Sequence, residues 1–264
     1  MLTFDREGQG EPTFIFVHGF GCAREDWSSQ VAKFSCKHEC VSLDLPGFGE
    51  TPALETRPSM EKFGAAVLEL MDAEGIGRAV LFGHSMGCRP AMELSVASPE
   101  RVLGLVLVDP GRATTEFEVS KRQFDELIAE RGFPDQARAM FREMFFDPVY
   151  AELRDRLAER AAMVPPEVAV QTYLALLDWD AHRCEAVFDA ISVPVLVLQS
   201  TTRNGFQRRP LRPGELAPYQ QMAMERIAGA ETESYPGVGH FTMIEASLAV
   251  NDRVQRFVER IICA

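Results

Sequence analysis

No run of this sequence is apolar over the roughly 20 residues that a membrane span requires; the longest strongly apolar segments, such as residues 103–108, are far shorter. The opening Met1-Leu2-Thr3-Phe4-Asp5 lacks the basic and apolar regions of an export signal, so a cytoplasmic location without a membrane partner is expected. Positive charge is also scarce. With 27 Lys and Arg against 39 Asp and Glu, the net charge of −12 repels phosphates and argues against nucleic acid as a partner. Neither repeats nor low-complexity segments occur, and no G-x-G-x-x-G follows a strand-like run. Cys36-Lys37-His38-Glu39-Cys40 has no second ligand cluster at a suitable spacing, so neither metal nor other cofactor is expected. The six cysteines, in a chain without an export signal, are expected to be reduced thiols.

What is present is the material of a globular enzyme: 264 residues, 46% hydrophobic and 25% charged, enough for one domain with a subdomain inserted into it. Short aliphatic runs alternate with helical patterns. Phe14-Ile15-Phe16-Val17, Val41-Ser42-Leu43, Ala79-Val80-Leu81-Phe82, Leu105-Val106-Leu107-Val108 and Val195-Leu196-Val197-Leu198 read as strands, most of them apolar throughout, as strands covered on both faces are. Helices are expected over residues 25–34, around Phe63, Val67, Leu70 and Met71 with Ser59 as cap, and from residue 88 to 97. The pattern is that of an α/β fold with a mostly parallel sheet flanked by helices. One excursion breaks the alternation. Residues 112–191 contain no convincing buried strand, only helical patterns interrupted at Pro134, Pro148 and Pro165-Pro166. An ordinary crossover needs a dozen residues or so, so this stretch reads as a helical cap inserted into a core made of residues 1–111 and 192–264.

Gly83-His84-Ser85-Met86-Gly87 is the strongest chemical signal, a G-x-S-x-G between an expected strand and an expected helix. A serine on so sharp a turn presents its hydroxyl at the carboxyl edge of the sheet, with free amides of the helix start beside it. The hydroxyl needs a base to become nucleophilic. Of the five histidines, His240 suits best, on a Gly-rich loop after the strand candidate Glu233-Ser234-Tyr235 and before a C-terminal helix. Acyl transfer also needs two preorganised donors for the oxyanion. The amides of Phe20, in His18-Gly19-Phe20-Gly21, and of Met86 are the natural pair.

Together with Asp44-Leu45-Pro46-Gly47-Phe48-Gly49, these segments, in this order, resemble the α/β-hydrolase superfamily over nearly the whole chain outside the cap. The resemblance implies a triad acid, commonly just after the strand at residues 195–198, and in a minority of members one strand earlier. The sequence departs from the common pattern there, since Gln199 to Arg209 contains neither Asp nor Glu. Asp109, ending the preceding strand, is the first choice for the acid. Glu215 is the second, and a dyad completed by a neutral group the third. Against that resemblance the N-terminal region is short: Leu2-Thr3-Phe4 is the only strand expected before Phe14, so the usual first strand is expected to be absent.

Arg203, Arg208, Arg209 and Arg212 occupy the loop that lacks the acid; they read either as a solvated loop on an acidic protein or as a grip for a substrate carboxylate. Phe20, Met86, Met144 and Trp179 are the expected lining of the cleft. The expected function is a serine esterase or lactonase acting on a small-to-medium apolar ester through an acyl-enzyme on Ser85. C–C bond hydrolysis of a ring-cleavage product, thioester hydrolysis and, less readily, ligand binding without catalysis stay open. A small molecule is the only partner implied, and the oligomeric state is not legible.

Overall fold

A computed structural model describes residues 1–113, 116–204 and 207–263. In chain order the elements are β1 (Phe4–Glu7), β2 (Thr13–Val17), α1 (Ser28–Phe34), β3 (Cys40–Leu43), α2 (Met60–Ala73), β4 (Ala79–His84), α3 (Cys88–Ala97) and β5 (Val102–Val108). They are followed by α4 (Phe117–Arg142), α5 (Ala151–Ala162), α6 (Pro166–His182), α7 (Cys184–Ala190), β6 (Val195–Gln199), β7 (Thr201–Asn204), β8 (Gln207–Pro210), α8 (Pro218–Arg226), β9 (Glu231–Ser234), α9 (Thr242–Glu245) and α10 (Ser247–Cys263).

Seven strands form one sheet in the order β1-β3-β2-β4-β5-β6-β9, parallel except for β1, which runs antiparallel on β3. The α/β architecture with a mostly parallel sheet is therefore present. Every residue of β2, β4 and β6 is buried, which is why these runs are apolar without alternation. From β2 the chain moves outward to β3 and then returns to the other side of β2 as β4. The loops leaving β2 and β4 therefore diverge, opening a crevice at the carboxyl ends of these two strands. That crevice is where both glycine-rich motifs end.

Local signals account for most boundaries. Ser59 caps α2 by accepting a hydrogen bond from the Lys62 amide at 3.2 Å, and Gly75 ends the helix at φ 70°. The helix expected over residues 25–34 begins as a single tight turn, Arg24–Trp27, before α1. The N-terminal strand lies slightly later than expected, at Phe4–Glu7, because an edge strand needs only backbone pairing and its side chains are largely polar. The hairpin β7–β8 falls in a stretch read as a loop; its four-residue polar arms carry no apolar alternation to reveal them.

Between β5 and β6 the chain runs through α4, α5, α6 and α7. The expected break near Pro134 is present: Gly132 is non-helical (φ 75°, ψ 160°) and divides α4 into two helical stretches, while Pro166 starts α6, where its missing N–H costs nothing. Among the described residues no helix is long and apolar enough to cross a membrane. All six cysteines are free thiols, and His38, between two of them, stacks on Phe14 with ring centroids 4.3 Å apart.

Candidate active site

The turn after β4 is built by steric exclusion. A side chain on Gly83 would come within 2.6 Å of Cys88 Cα, and one on Gly87 within 2.4 Å of the Val17 and His18 carbonyl oxygens. Gly19 is less tightly constrained, a Cβ there lying 3.0 Å from His84 Nδ1 and 3.2 Å from Ser85 Cβ. Between these close approaches Ser85 is held at φ 51°. Among the described residues only one other non-glycine residue has positive φ, Asp109 at 41°. Such dihedrals cost on the order of 1–3 kcal/mol each and persist only where the surroundings enforce them.

Asp109 follows β5, and its amide donates to Leu198 O at 2.7 Å, so its carboxylate faces the end of β6. There its Oδ1 accepts from Gln199 Nε2 (2.9 Å), Ser200 N (2.8 Å) and Thr201 N (2.8 Å). Its Oδ2 accepts from Thr201 Oγ1 (2.5 Å), from Arg208 Nη1 (3.3 Å) and from His240 Nδ1 (2.5 Å). The segment that lacks an acid thus supplies the donors that hold one from the neighbouring strand. Burial pushes the Asp109 carboxyl up, but His240, Arg208 and Thr201 outweigh it and hold it at about 2. Glu215 is elsewhere, accepting from Arg209 Nη1 (2.9 Å), Arg209 Nη2 (2.5 Å) and the Arg212 amide (2.9 Å).

His240 is buried, and its pKa falls to about 4, first through burial and then through the charge of Arg208, with Asp109 opposing both. At neutral pH it is an uncharged imidazole whose Nδ1–H is engaged by Asp109, which leaves Nε2 as the basic atom. Its backbone is held on three sides. Its amide donates to Met144 O (2.8 Å), its carbonyl accepts from His84 Nε2 (3.1 Å), and Ser200 Oγ bridges to Gly239 O (2.6 Å). The Glu245 carboxylate accepts from the flanking amides of Gly239 (3.1 Å) and Phe241 (3.2 Å); burial nevertheless pushes its pKa up to about 7.

The crevice has a second pinned wall. His18 Nδ1–H donates to Gly19 O (2.7 Å), and its Nε2 accepts from the Leu45 amide (2.9 Å). One tautomer thereby ties the Gly19 loop to the Asp44–Gly49 loop, and burial lowers the pKa of the ring. The Phe20 amide meets no acceptor among the described residues. Met86 lies in the first turn after β4, where amides have no intrahelical partner.

Ser85 and His240 line one small cavity of about 60 Å³ together with Phe20, Met144, Arg203 and Arg208. A larger cavity of about 620 Å³ shares Met140, Tyr173, Leu177 and both of these arginines with it and extends under α4. Two of the side chains expected to line the cleft do not reach it. Met86 is fully buried in the core. Trp179 turns its indole Nε1–H to Glu93 Oε1 at 2.6 Å, because that buried carboxylate needs donors more than the cleft needs an apolar wall. Sequence reasoning missed Gln199, Ser200 and Thr201 as holders of the acid, and Glu245 beneath the histidine loop. The only available signal was a run of polar donors ending an otherwise apolar strand.

Residues 14–253 match the alpha/beta hydrolase family. The chain is 36% identical over 109 residues to the dihydrolipoyllysine-residue acetyltransferase component of the acetoin cleaving system of Cupriavidus necator, covering 41% of this chain and 29% of that protein. Its counterpart from Pseudomonas putida is 25% identical over 260 residues, covering 97% of this chain and 66% of that protein. The chain thus spans less than two thirds of the length of either relative. Among solved structures, the enol-lactonase from Burkholderia xenovorans LB400 superimposes with a TM-score of 0.81 at 21% identity, covering 98% of this chain and 96% of that one.

Proposed function

The chain belongs to the alpha/beta hydrolase family, and from that premise we propose that it is a serine hydrolase cleaving a small-to-medium carboxylic ester or lactone with an apolar body. The observation that carries this reading is the 2.5 Å bond between His240 Nδ1 and Asp109 Oδ2, in a cavity wall shared with a serine held at positive φ. In this reading Ser85 Oγ attacks the substrate carbonyl while His240 Nε2 takes its proton. The Phe20 and Met86 amides receive the oxyanion, and Asp109 stabilises the imidazolium. As the carbonyl re-forms, the bond to the leaving alcohol breaks and His240 gives it the proton. A water then loses its proton to His240 and attacks the acyl-enzyme; the bond to Ser85 Oγ breaks, His240 returns the proton to that oxygen, and the carboxylic acid leaves. In this scheme residues 112–191 act as a cap that closes the cleft and selects the substrate.

The test is turnover of p-nitrophenyl esters of increasing acyl length and of a lactone panel by the wild type and by Ser85→Ala. Turnover by the wild type, with a loss of about 10⁴- to 10⁶-fold in the variant, is expected. Retention of activity by Ser85→Ala, or no turnover of any ester or lactone by the wild type, overturns the reading.

A further inference from the structure

Arg203 and Arg208 face each other across the β7–β8 hairpin. Like charges directly opposite in an antiparallel pair destabilise it, and here one of them is also buried, the Arg208 side chain being only 9% exposed. Arg208 uses Nη1 alone, toward Thr201 Oγ1 (2.6 Å) and Asp109 Oδ2 (3.3 Å). Among the described residues its Nε and Nη2, and the whole guanidinium of Arg203, meet no acceptor. Both arginines line the small cavity with Ser85 and His240, and both line the larger one beyond it.

The surrounding charges do not balance this pair. Arg89 is matched by Asp180 at 2.7 Å, Arg112 by Glu185 at 3.0 Å and Arg209 by Glu215 at 2.5 Å. Asp109, beside an uncharged His240, balances only Arg208 at 3.3 Å, which leaves the charge of Arg203 over. In the larger cavity Arg131 and Glu143 also lie on the wall, both on the α4 side and neither lining the small cavity. A protein with a net charge of −12 thus places beside its candidate nucleophile a cation, Arg203, that has no carboxylate partner among the described residues, next to Arg208, whose Nε and Nη2 stay unfilled.

We propose that Arg203 and Arg208 form a carboxylate-binding subsite, so that the preferred substrate is an ester or lactone that also bears a free carboxylate. The proposal rests on the hydrolase reading above. A carboxylate fits the unfilled donors of a planar guanidinium, whereas an uncharged acyl chain offers them no acceptor. Met140, Tyr173 and Leu177, shared by the two cavities, provide the apolar wall for the rest of the molecule. Burial and then the charge of Arg203 lower the pKa of Arg208 to about 10, a cost that a bound anion relieves. The same anion offsets the charge that Arg208 imposes on His240 and so strengthens the base when the right substrate is present.

The experiment compares kcat/KM for the p-nitrophenyl monoester of glutarate with that for p-nitrophenyl hexanoate, in the wild type, Arg203→Gln and Arg208→Gln. Taking the ratio within each protein cancels general damage, which matters because Arg208 touches Asp109. The wild type is expected to favour the glutarate monoester by about tenfold or more, the scale of a charge-assisted hydrogen bond, and each variant to lose most of that preference. Arg203→Gln keeps the test readable if Arg208→Gln does not fold. A wild-type ratio near or below unity, or a ratio unmoved by Arg203→Gln, overturns the subsite while the hydrolase reading stands. If neither ester is turned over, the ester and lactone panel above decides the hydrolase reading separately. Calorimetric binding of monomethyl glutarate to Ser85→Ala then decides the subsite: binding weakened about tenfold by adding Arg203→Gln supports it, and no binding or unchanged binding overturns it.

Discussion

The sheet and the helices inserted between β5 and β6 are held together in different ways. Around the nucleophile, position is enforced by backbone crowding: Gly83 and Gly87 leave no room for a side chain, and β2 and β4 are buried throughout. The inserted helices are joined to that core by side chains. Asp180 of α6 takes Arg89 Nε and Nη2 of α3, each at 2.8 Å. Glu93 of the same helix takes Trp179 and Arg183. Phe145, after α4, stacks on Phe241, with ring centroids 5.0 Å apart. Backbone-limited geometry suits atoms that must meet at bonding distance. Side-chain contacts permit a wall whose shape changes with a few substitutions. In the proposed reading the chemistry belongs to the first region and the choice of substrate mainly to the second, with the β7–β8 arginines at the seam.

The largest expected effect tests the rigid half. Asp109→Asn places an amide donor among groups that are themselves donors and leaves His240 without its acceptor. A loss of about 10⁴-fold in kcat/KM is expected, measured with any ester the wild type accepts. Glu215→Gln, on the Arg209 pair at the surface, should stay within about twofold, since exposed pairs contribute little. A collapse in Glu215→Gln with Asp109→Asn nearly normal breaks the comparison and moves the acid to the later loop.

Next is the joint between the regions. Asp180→Ala leaves the Arg89 guanidinium buried without its partner and should lower unfolding free energy by about 3–5 kcal/mol in a denaturant titration. Unchanged stability would mean that apolar contacts, not this pair, attach the inserted helices.

The smallest effect lies in pH dependence. His240 must be uncharged to accept a proton, so activity is lost as pH falls through its pKa. With that value lowered to about 4, the acid limb of kcat/KM should lie well below the 6.5 of an ordinary imidazole. Removing the Arg208 charge favours the imidazolium, and Arg208→Gln should move the limb upward by about one unit. A limb near 6.5 in the wild type, unmoved in the variant, would detach Arg208 from the base.

Much of this molecule was legible before the structure because it is set by local sterics. Gly83-His84-Ser85-Met86-Gly87 has one workable backbone path between a strand and a helix, and Ser59 and Gly75 mark helix ends by hydrogen bonding and by φ. The apolar runs of β2, β4, β5 and β6 follow from burial on both faces. The hairpin was not legible, because polar arms of four residues carry no periodic signal. Nor was the direction of Trp179, which depends on a carboxylate 86 residues away in sequence.

By itself, then, the sequence determined the α/β fold, the strained serine turn and the histidine loop after the last strand, since each depends on residues that are neighbours in the chain. Only the tertiary structure decided that Asp109 rather than Glu215 meets His240. That choice rests on the register of β5 against β6, which brings the Asp109 carboxylate to the Ser200 and Thr201 amides. It also rests on Arg209, which binds Glu215 elsewhere. A carboxylate goes where buried donors converge, and convergence across strands is a property of the packed sheet.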